Sequence, residues 1–168
     1  MSKSFSMTAV GAVSSNWAIG EDNDLIFKNK HDLMFFKKLT YGGAVIMGRK
    51  TFESLPNGAL PGRLNIVLTS SKDFKSDKVK VVNSVKELFK YLNSLEIPVF
   101  LIGGGMMYRT LLGSCDKVVL NQFEEEHKTS IKTVYFPTVM LNQLFEKNAE
   151  TTYFDGRGFK TMIYVRRQ

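Results

Sequence analysis

The chain has 168 residues, the length of one domain with a sizeable hydrophobic core. Hydrophobic residues make up 43% and charged residues 23%, as in soluble globular proteins, and no apolar run approaches the roughly 20 residues that span a bilayer. The N-terminal residues lack the apolar core of a signal peptide, and Cys115, the single cysteine, excludes an internal disulfide bond. We therefore expect a cytoplasmic protein that does not bind membranes.

The formal net charge is +7, from 23 lysines and arginines against 16 aspartates and glutamates. Such a balance suits nucleic acids, membrane surfaces or small anionic ligands. The lysines are scattered, without a dense basic run or interleaved aromatic residues, so the pattern argues against a nucleic-acid-binding protein. Small anionic ligands, or solubility alone, are the preferred interpretations. Two histidines and one cysteine form no recognisable metal site.

Strands and helices alternate through the first 120 residues. Short apolar runs predict strands at 5–13, 44–48, 64–69, 79–82, 98–102 and 117–123. Helical spacing predicts helices at 32–41, at 49–55, after residue 84 and at about 106–112. The tail predicts two long strands, 144–154 and 159–167, joined in a hairpin at 155–158.

This order predicts a single α/β domain over residues 1–168. Its sheet is expected to be largely parallel, with helices on both faces and an antiparallel edge at the C-terminal end. Residues 14–30 form a long connection between the first strand and the first helix, and a loop of this length in a small domain is usually functional.

The first helix carries a carboxylate in an unusual place. Phe35, Phe36 and Leu39 lie three, four and seven residues after Asp32 and so form one apolar helical face. Asp32 then stands at the head of a stripe that packs inward, either capping the helix or facing a ligand. The pattern alone favours the cap. His31 is expected to face solvent, because neighbouring helical residues point in different directions.

Two turns between a strand and a helix are candidates for binding an anionic ligand. In the first, Arg49, Lys50 and Thr51 open a helix directly after a buried strand, which suits a phosphate group, although basic residues can also lie at a helix start by chance. In the second, three glycines at 103–105 follow a buried strand and would let a ligand approach the backbone. Tyr108 stands where the dinucleotide-binding fingerprint requires a third glycine, so that motif is weak.

Arg63 precedes the strand at 64–69 and is either a surface arginine or a clamp for a carboxylate. Cys115 follows Gly113 and is more easily explained as a small structural residue than as a nucleophile. Together the residues predict a cleft at the strand ends with phosphate-binding turns, a long loop and one buried acid. This combination indicates an enzyme that uses a nucleotide cofactor.

Five segments follow one another along the chain in a recognisable order. They are Ala18-Ile19-Gly20, Asp32-Leu33 with Phe35-Phe36-Lys37, VIMGRKTFESLP at 45–56, LPGRLNIVLTS at 60–70 and IGGGMMY at 102–108. In order and spacing they resemble segments of the dihydrofolate reductase family, and the resemblance extends from about Phe5 to Arg167.

The resemblance implies an eight-stranded, mostly parallel sheet and the NADPH-dependent reduction of 7,8-dihydrofolate to tetrahydrofolate. Asp32 is the implied catalytic acid, pairing with the edge of the pterin, and Arg63 the implied partner of the substrate's α-carboxylate. The implied substrate-binding residues are Val10, Leu25, Phe27, Asp32, Leu33, Phe36, Leu55, Arg63, Ile102 and Asn121. The implied cofactor-binding residues are Ala12, Ile19, Gly20, Arg49, Lys50, Thr51, Thr69, Ser70, Gly103, Gly104, Gly105, Met107 and Tyr108. A cis peptide bond is implied between Gly103 and Gly104, and antifolate inhibitors are implied ligands.

The chain departs from the family's usual pattern at three positions. Phe27 replaces a tryptophan and cannot donate a hydrogen bond, and Asn121 replaces a threonine that bonds the acid and the pterin amino group. Met106 follows the third glycine, where bacterial relatives often carry an arginine for the 2′-phosphate. The preference for NADPH over NADH would then depend on the turn at 49–51 and the loop at 70–72.

Three other readings remain open. A pyrimidine reductase of riboflavin synthesis resembles this chain in the glycine turn but lacks an acid in the helix, so Asp32 argues against it. A binding protein that has lost turnover is compatible with Phe27 and Asn121. A nucleic-acid-binding protein is supported by the net charge alone. We expect a monomer, since no exposed apolar stripe predicts an interface.

Overall fold

The computed structural model describes residues 3–22, 24–152 and 156–168. The strands are β1 (Met7–Val13), β2 (Ala18–Glu21), β3 (Asp24–Leu25), β4 (Ala44–Gly48), β5 (Leu64–Leu68), β6 (Lys80–Val82), β7 (Val99–Gly103), β8 (Lys117–Phe123), β9 (Thr133–Tyr135), β10 (Phe145–Glu150) and β11 (Phe159–Arg166). The helices are α1 (Lys30–Thr40), α2 (Arg49–Ser54), α3 (Val85–Leu92), α4 (Gly105–Leu111) and α5 (Thr138–Leu144), with a 3₁₀ turn at Leu112–Ser114. No helix within the described ranges is long and apolar enough to cross a membrane.

The main sheet has eight strands in the order β10-β11-β8-β1-β7-β4-β5-β6. The pairs from β8 to β6 are parallel, and β11 runs antiparallel to both β8 and β10. The predicted fold class, a mostly parallel eight-stranded sheet with an antiparallel C-terminal strand, is confirmed. Because the parallel strands share one direction, β1, β4, β5 and β7 all end at the same edge of the sheet.

Alternate residues of the central strands pack into two apolar layers, one on each face of the sheet. In β4, Ala44 and Ile46 belong to the larger layer, while Val45 and Met47 belong to the smaller one. Helices α3, α4 and α5 contribute buried residues to the larger layer, and residues of α1 and α2 pack against the smaller layer. The predicted placement of helices on both faces is therefore confirmed, and a central strand buried on both sides explains the continuous apolar run at 44–48.

The structure corrects two parts of the predicted element order. The strand predicted from residue 144 is wrong at its start, because helix α5 occupies Thr138–Leu144 and strand β10 begins only at Phe145. Tyr153 and Phe154 of the predicted strand, and Asp155 of the predicted hairpin turn, lie outside the described residues. The connection predicted at 14–30 contains β2 and β3, which join β9 in a second sheet with the order β3-β2-β9. Both residues of β3 are exposed and those of β9 are half-buried, so neither strand has an alternating apolar pattern.

Helix α1 is capped by Asn29, so the prediction that Asp32 caps this helix is wrong. The Asn29 side chain accepts hydrogen bonds from the backbone N–H groups of His31 and Asp32, at 2.8 and 3.1 Å. Its own amide donates to the Arg157 carbonyl at 3.0 Å, which ties the helix start to the residues preceding β11. Since Asn29 satisfies the helix end, the Asp32 carboxylate lies in the first turn and is available for other partners.

The central position of β4 predicts a large effect of shortening one of its side chains. Ile46 is fully buried, opposite Ile66 of β5 and Leu101 of β7. We expect Ile46→Ala to lower the free energy of unfolding by about 2–5 kcal/mol, because it leaves a cavity where the sheet cannot collapse. Chemical denaturation measures the change. The matched control is Val139→Ala on the exposed face of α5, expected to change that free energy by less than ~0.5 kcal/mol; equal effects of the two variants would contradict this packing.

Candidate active site

The two predicted anion-binding turns are in contact at the carboxyl ends of β4 and β7. A Cβ atom added to Gly48 would lie 3.3 Å from Cγ of Met107, and one added to Gly104 would lie 3.2 Å from Oγ1 of Thr51. Neither α2 nor α4 has a side-chain cap within the described residues, so the backbone N–H groups at both helix starts have no side-chain partner. The structure thus brings together two helix starts at the sheet edge where ligands bind in open α/β folds.

The glycine turn is also shaped by contacts within the chain. Gly103 has a φ of 124°, which favours glycine, and a cis peptide bond joins it to Gly104, as the resemblance implies. A Cβ atom at Gly105 would lie only 2.5 Å from Cγ1 of Val134, so a larger residue there would displace β9. Internal packing therefore accounts for part of the glycine pattern that was interpreted as ligand contact.

The basic side chains of the first turn face solvent. Arg49 and Lys50 are exposed, and Nε of Arg49 lies 3.5 Å from Oε1 of Glu53, one turn further along α2. Thr69 and Ser70 follow the end of β5, where Oγ1 of Thr69 accepts the backbone N–H of Ser71 at 3.2 Å. All four residues are thus placed near the carboxyl ends of the strands.

Tyr108 lies in the core below the glycine turn. Its ring is buried against Phe136, with 4.8 Å between the ring centroids, and its hydroxyl donates a hydrogen bond of 2.6 Å to the Val10 carbonyl. Burial raises the pKa of this hydroxyl. The Val10 carbonyl, predicted to face the pterin, therefore has one internal donor already, and Tyr108 links α4 to β1.

The Asp32 carboxylate is half-buried and has one hydrogen-bond donor within the described part of the chain. Nδ2 of Asn121 in β8 donates to Oδ1 of Asp32 at 2.7 Å, and Oδ1 of Asn121 accepts from Oγ1 of Thr161 in β11, also at 2.7 Å. Burial raises the pKa of Asp32 above its usual value, and the hydrogen bond from Asn121 opposes that rise. The site therefore contains one carboxyl group whose protonation is shifted toward neutral pH.

Phe27 is held by aromatic packing. Its ring is stacked on that of Phe123 at the end of β8, with centroids 4.0 Å apart and an interplanar angle of 13°. Phe123 in turn lies 5.2 Å from the ring of Phe159 in β11. Phe27 is thus part of an apolar stack, in which phenylalanine needs no hydrogen-bond partner.

The residues predicted to form the apolar walls fall into two groups, one exposed and one packed against the sheet. Leu25 and Leu33 are 57% and 53% exposed, while Phe36, Leu55 and Ile102 are half-buried and pack against the smaller core layer. Leucines exposed to this extent beside a carboxylate suit an open cleft that takes an apolar ring.

Arg63 lies at the C-terminal end of α1. Its guanidinium donates to the Pro61 carbonyl at 3.0 Å and to the Thr40 hydroxyl at 3.2 Å, and it lies 5.8 Å from the centre of the Phe36 ring. No carboxylate in the described ranges pairs with it, and partial burial lowers its pKa. A partly desolvated cation without an acidic partner is suited to an anionic ligand group.

The connection at 14–22 is anchored to the segment that precedes β9. The backbone N–H of Ser15 donates to the Glu125 carbonyl at 2.9 Å, and the Asn16 side chain both donates to and accepts from the His127 backbone, at 2.8 and 3.0 Å. Glu21 accepts hydrogen bonds from Ser130 and Thr133, which lower its pKa. These contacts fix β2, with Ile19 and Gly20, beside the end of β1 that carries Ala12.

Two residues that are not among those predicted for the site hold Asp32 in place. Asn29 caps the helix, and a polar residue three positions before Asp32 was a detectable signal for that cap. Thr161 lies 40 residues from Asn121 in the chain, so only the register between β8 and β11 shows that they are neighbours.

A parallel sheet with two contacting helix starts at its carboxyl edge, beside one half-buried carboxylate, defines an α/β enzyme of the nucleotide-cofactor class. The family model for dihydrofolate reductase matches residues 6–166. The chain therefore belongs to the dihydrofolate reductase family and, with it, to the oxidoreductases.

Individual relatives agree with this assignment. The chain is 40% identical to dihydrofolate reductase of Bacillus subtilis over 115 residues, which cover 68% of this chain and 67% of that one. It is 33% identical over 154 residues to dihydrofolate reductase type 6 of Proteus mirabilis, covering 88% of this chain and 95% of that one. Dihydrofolate reductase from Enterococcus faecalis, solved in complex with NADP(H) and RAB-propyl, superposes with a TM-score of 0.86 at 28% identity, over 97% of both chains.

Proposed function

We propose that this protein reduces 7,8-dihydrofolate to 5,6,7,8-tetrahydrofolate with NADPH as cofactor, supporting one-carbon metabolism and thymidylate synthesis. The proposal rests chiefly on the half-buried Asp32 carboxyl group with its raised pKa, in a fold that also brings together the helix starts at Arg49 and Gly105. Family membership and the likeness to a reductase solved with NADP(H) support the same reaction. We also propose that the protein works as a cytoplasmic monomer and binds antifolate inhibitors.

In this proposal the pterin ring lies between the connection at 14–30 and α1. Its amidine-like edge faces Asp32, whose Oδ2 accepts no hydrogen bond from the described residues and is available to the ligand. The glutamate tail runs past Phe36 to Arg63, the cation without an acidic partner. Leu25, Leu33, Leu55 and Ile102 line the ring as the apolar walls.

The chain offers a suitable place for NADPH, which when bound would supply the hydride. The helix starts at Arg49 and Gly105 present free backbone donors to phosphates, and Thr51, Thr69 and Ser70 lie beside them. The backbone at Ala12, Ile19 and Gly20 would hold the nicotinamide end. Met107 and Tyr108 are buried and support the glycine turn from below.

Asp32 performs the acid–base part of the reaction. The hydride goes to a pterin carbon, and the neighbouring ring nitrogen must receive a proton. A carboxyl group whose pKa is raised by burial favours the protonated form of the substrate near neutral pH. When the pterin is bound, the connection at 14–22 and the Phe27 ring would help to exclude water from that place, which would strengthen the electrostatic effect of the carboxylate.

We propose that the basic turn at the start of α2 makes the enzyme bind NADPH more tightly than NADH. We expect Lys50→Ala and Arg49→Ala each to raise the KM for NADPH about three- to tenfold and to leave the KM for NADH nearly unchanged, because the 2′-phosphate is the charge that distinguishes the cofactors. Steady-state kinetics with both cofactors measures the ratio. Lys90→Ala, an exposed lysine of α3 on the other face of the sheet, is the matched control. Equal losses for both cofactors would remove the assignment.

The assay that tests the proposed function follows NADPH oxidation at 340 nm with the purified protein and dihydrofolate, with and without methotrexate. We expect oxidation that requires dihydrofolate and is abolished by the antifolate. If the protein bound NADPH and methotrexate without oxidising NADPH, it would instead be the binding protein considered above. If it showed neither oxidation nor binding, the proposed function would be refuted.

A further inference from the structure

The hydrogen bond between Asn121 and Asp32 belongs to a longer chain of polar contacts that begins in strand β11. Thr161 and Asn121 are paired across β8 and β11, and both are buried, with 6% and 2% of their surfaces exposed. The Thr161 hydroxyl donates to the Asn121 carbonyl oxygen, and the Asn121 amide donates to the Asp32 carboxylate. Both hydrogen bonds are therefore donated in the same direction, from the Thr161 hydroxyl toward the Asp32 carboxylate.

The direction of these two hydrogen bonds is determined by the acceptor that is available to the Thr161 hydroxyl. Within the described residues, the Thr161 hydroxyl hydrogen has no acceptor other than Oδ1 of Asn121. If the amide were rotated by 180°, Oδ1 of Asn121 would face the Asp32 carboxylate and the Thr161 hydroxyl hydrogen would lose its acceptor in a buried place. An unsatisfied buried donor is costly, so Thr161 keeps the Asn121 NH₂ group directed at Asp32.

Thr161 is itself fixed by its neighbour across the sheet. Its backbone N–H donates to Oγ1 of Thr151 at 2.8 Å, and its carbonyl accepts the Thr151 N–H at 3.0 Å. Oγ1 of Thr151 also accepts from the Arg157 guanidinium at 3.3 Å. Both backbone polar groups of Thr161, the residue whose hydroxyl orients Asn121, are therefore held by hydrogen bonds to Thr151.

We propose that Thr161 is a positioning residue for the reaction, which acts through Asn121 to hold Asp32 in the ionised form in the free enzyme. An NH₂ group can only donate, so it stabilises the carboxylate relative to the carboxylic acid. With its orientation fixed by Thr161, the Asn121 amide presents to Asp32 a group that cannot accept a hydrogen bond from the protonated acid.

Among the residues that the structure describes, few other ionisable groups act on the Asp32 carboxyl group. On α1, Lys30 and His31 next to it are exposed, and β8 and β11 face it through uncharged Asn121 and Thr161. From α4, the Tyr108 hydroxyl is electrostatically coupled to Asp32, but its raised pKa keeps it neutral over the working range. The orientation of the Asn121 amide is thus the specific local influence that opposes the effect of burial on Asp32.

The test measures the titration of Asp32 by the ¹³C shift of its carboxyl carbon in protein labelled at aspartate, with the signal assigned by its loss in Asp32→Asn. We expect Thr161→Val, which keeps the shape and removes the hydroxyl, to raise the midpoint by about half to one pH unit. Thr161→Ser retains the donor and should keep the parent midpoint. In an Asn121→Ala background, Thr161→Val should produce no further shift, because the two residues act as one unit.

A midpoint that is unchanged in Thr161→Val, or that shifts equally in the Asn121→Ala background, would overturn the proposal. The titration needs neither cofactor nor turnover, so its outcome is independent of whether the enzyme reduces dihydrofolate. The kinetic consequence rests on the proposed function: the midpoint in the pH profile of hydride transfer should move upward in Thr161→Val by a comparable amount. If the carboxyl titration shifts and the protein shows no turnover, the positioning role stands and the proposed function fails.

Discussion

Replacing Asp32 with asparagine is expected to slow hydride transfer to dihydrofolate by about 10²- to 10⁴-fold at pH 7, the range over which a positioned acid or base contributes. The substitution preserves the shape of the side chain and the acceptor that Asn121 uses, so the fold and the hydrogen bond should remain. What is lost is the group that favours the protonated pterin. Single-turnover kinetics with NADPH in excess measures the chemical step directly.

The control for this loss is a carboxylate outside the cleft. Glu96 is exposed in the turn before β7, and Glu96→Gln should retain the parent rate. A rate for Asp32→Asn within threefold of the parent at pH 7 would contradict the assignment of Asp32 as the acid.

The same substitution should make the free enzyme more stable at neutral pH. Burial raises the pKa of Asp32 in the folded state, so between the ordinary aspartate pKa and the raised value the folded protein binds more protons than the unfolded chain. This group therefore lowers the stability of the parent as the pH rises through that window. In chemical denaturation, the free energy of unfolding of Asp32→Asn should exceed that of the parent at pH values above the raised pKa. The difference should disappear below the ordinary pKa of the carboxyl group.

Replacing Arg63 with alanine is expected to raise the KM for dihydrofolate roughly ten- to hundredfold, with a much smaller change in kcat. Hydrogen bonds to a charged group contribute about 1.5–3 kcal/mol, and each 1.4 kcal/mol corresponds to a tenfold change in affinity. Because Arg63 lies at the far end of α1 from Asp32, its contact with the tail should be equally strong in the ground state and the transition state.

A substrate without the glutamate tail separates this binding role from a structural one. With a dihydropterin that lacks carboxylates, Arg63→Ala and the parent should have the same KM, since no anion is left for the guanidinium to bind. Lys38→Ala, an exposed cation of the same helix, controls for the loss of general positive charge. If Arg63→Ala were equally impaired with the truncated substrate, Arg63 would serve the packing of Phe36 and Thr40 rather than the ligand.

The central elements of the fold could be predicted because their residues are buried on both faces. The run at 44–48 is apolar at its first four positions, and its bounds match β4; the strand at 117–123 matches β8 in the same way. Helix α5 and the strands of the second sheet were missed for the opposite reason. They are short and largely half-buried or exposed, so their apolar residues show neither a helical nor a strand period over enough positions.

One residue of the candidate site could be predicted because its polarity differs from that of its neighbours on the same helical face. Asp32 stood out because a carboxylate lies at the head of an apolar helical face, but its partners lie on strands 89 or more residues away and leave no local signal. The Tyr108 hydroxyl bonds a carbonyl 98 residues away, so no local pattern could indicate that this residue, which the resemblance implies to bind cofactor, also links α4 to β1. Local patterns therefore indicated the acid, and only the assembled sheet provided its surroundings.

The role of Asp32 as the acid is best measured by the pH dependence of hydride transfer in the parent and in Asp32→Asn. We expect the parent rate to be constant at low pH and to fall above one midpoint set by Asp32. The rate of Asp32→Asn should fall about tenfold per pH unit across the range, because the variant depends on substrate that is protonated in solution, and the two rates should converge at low pH. Parallel profiles with the same midpoint would contradict the claim that Asp32 governs protonation in this enzyme.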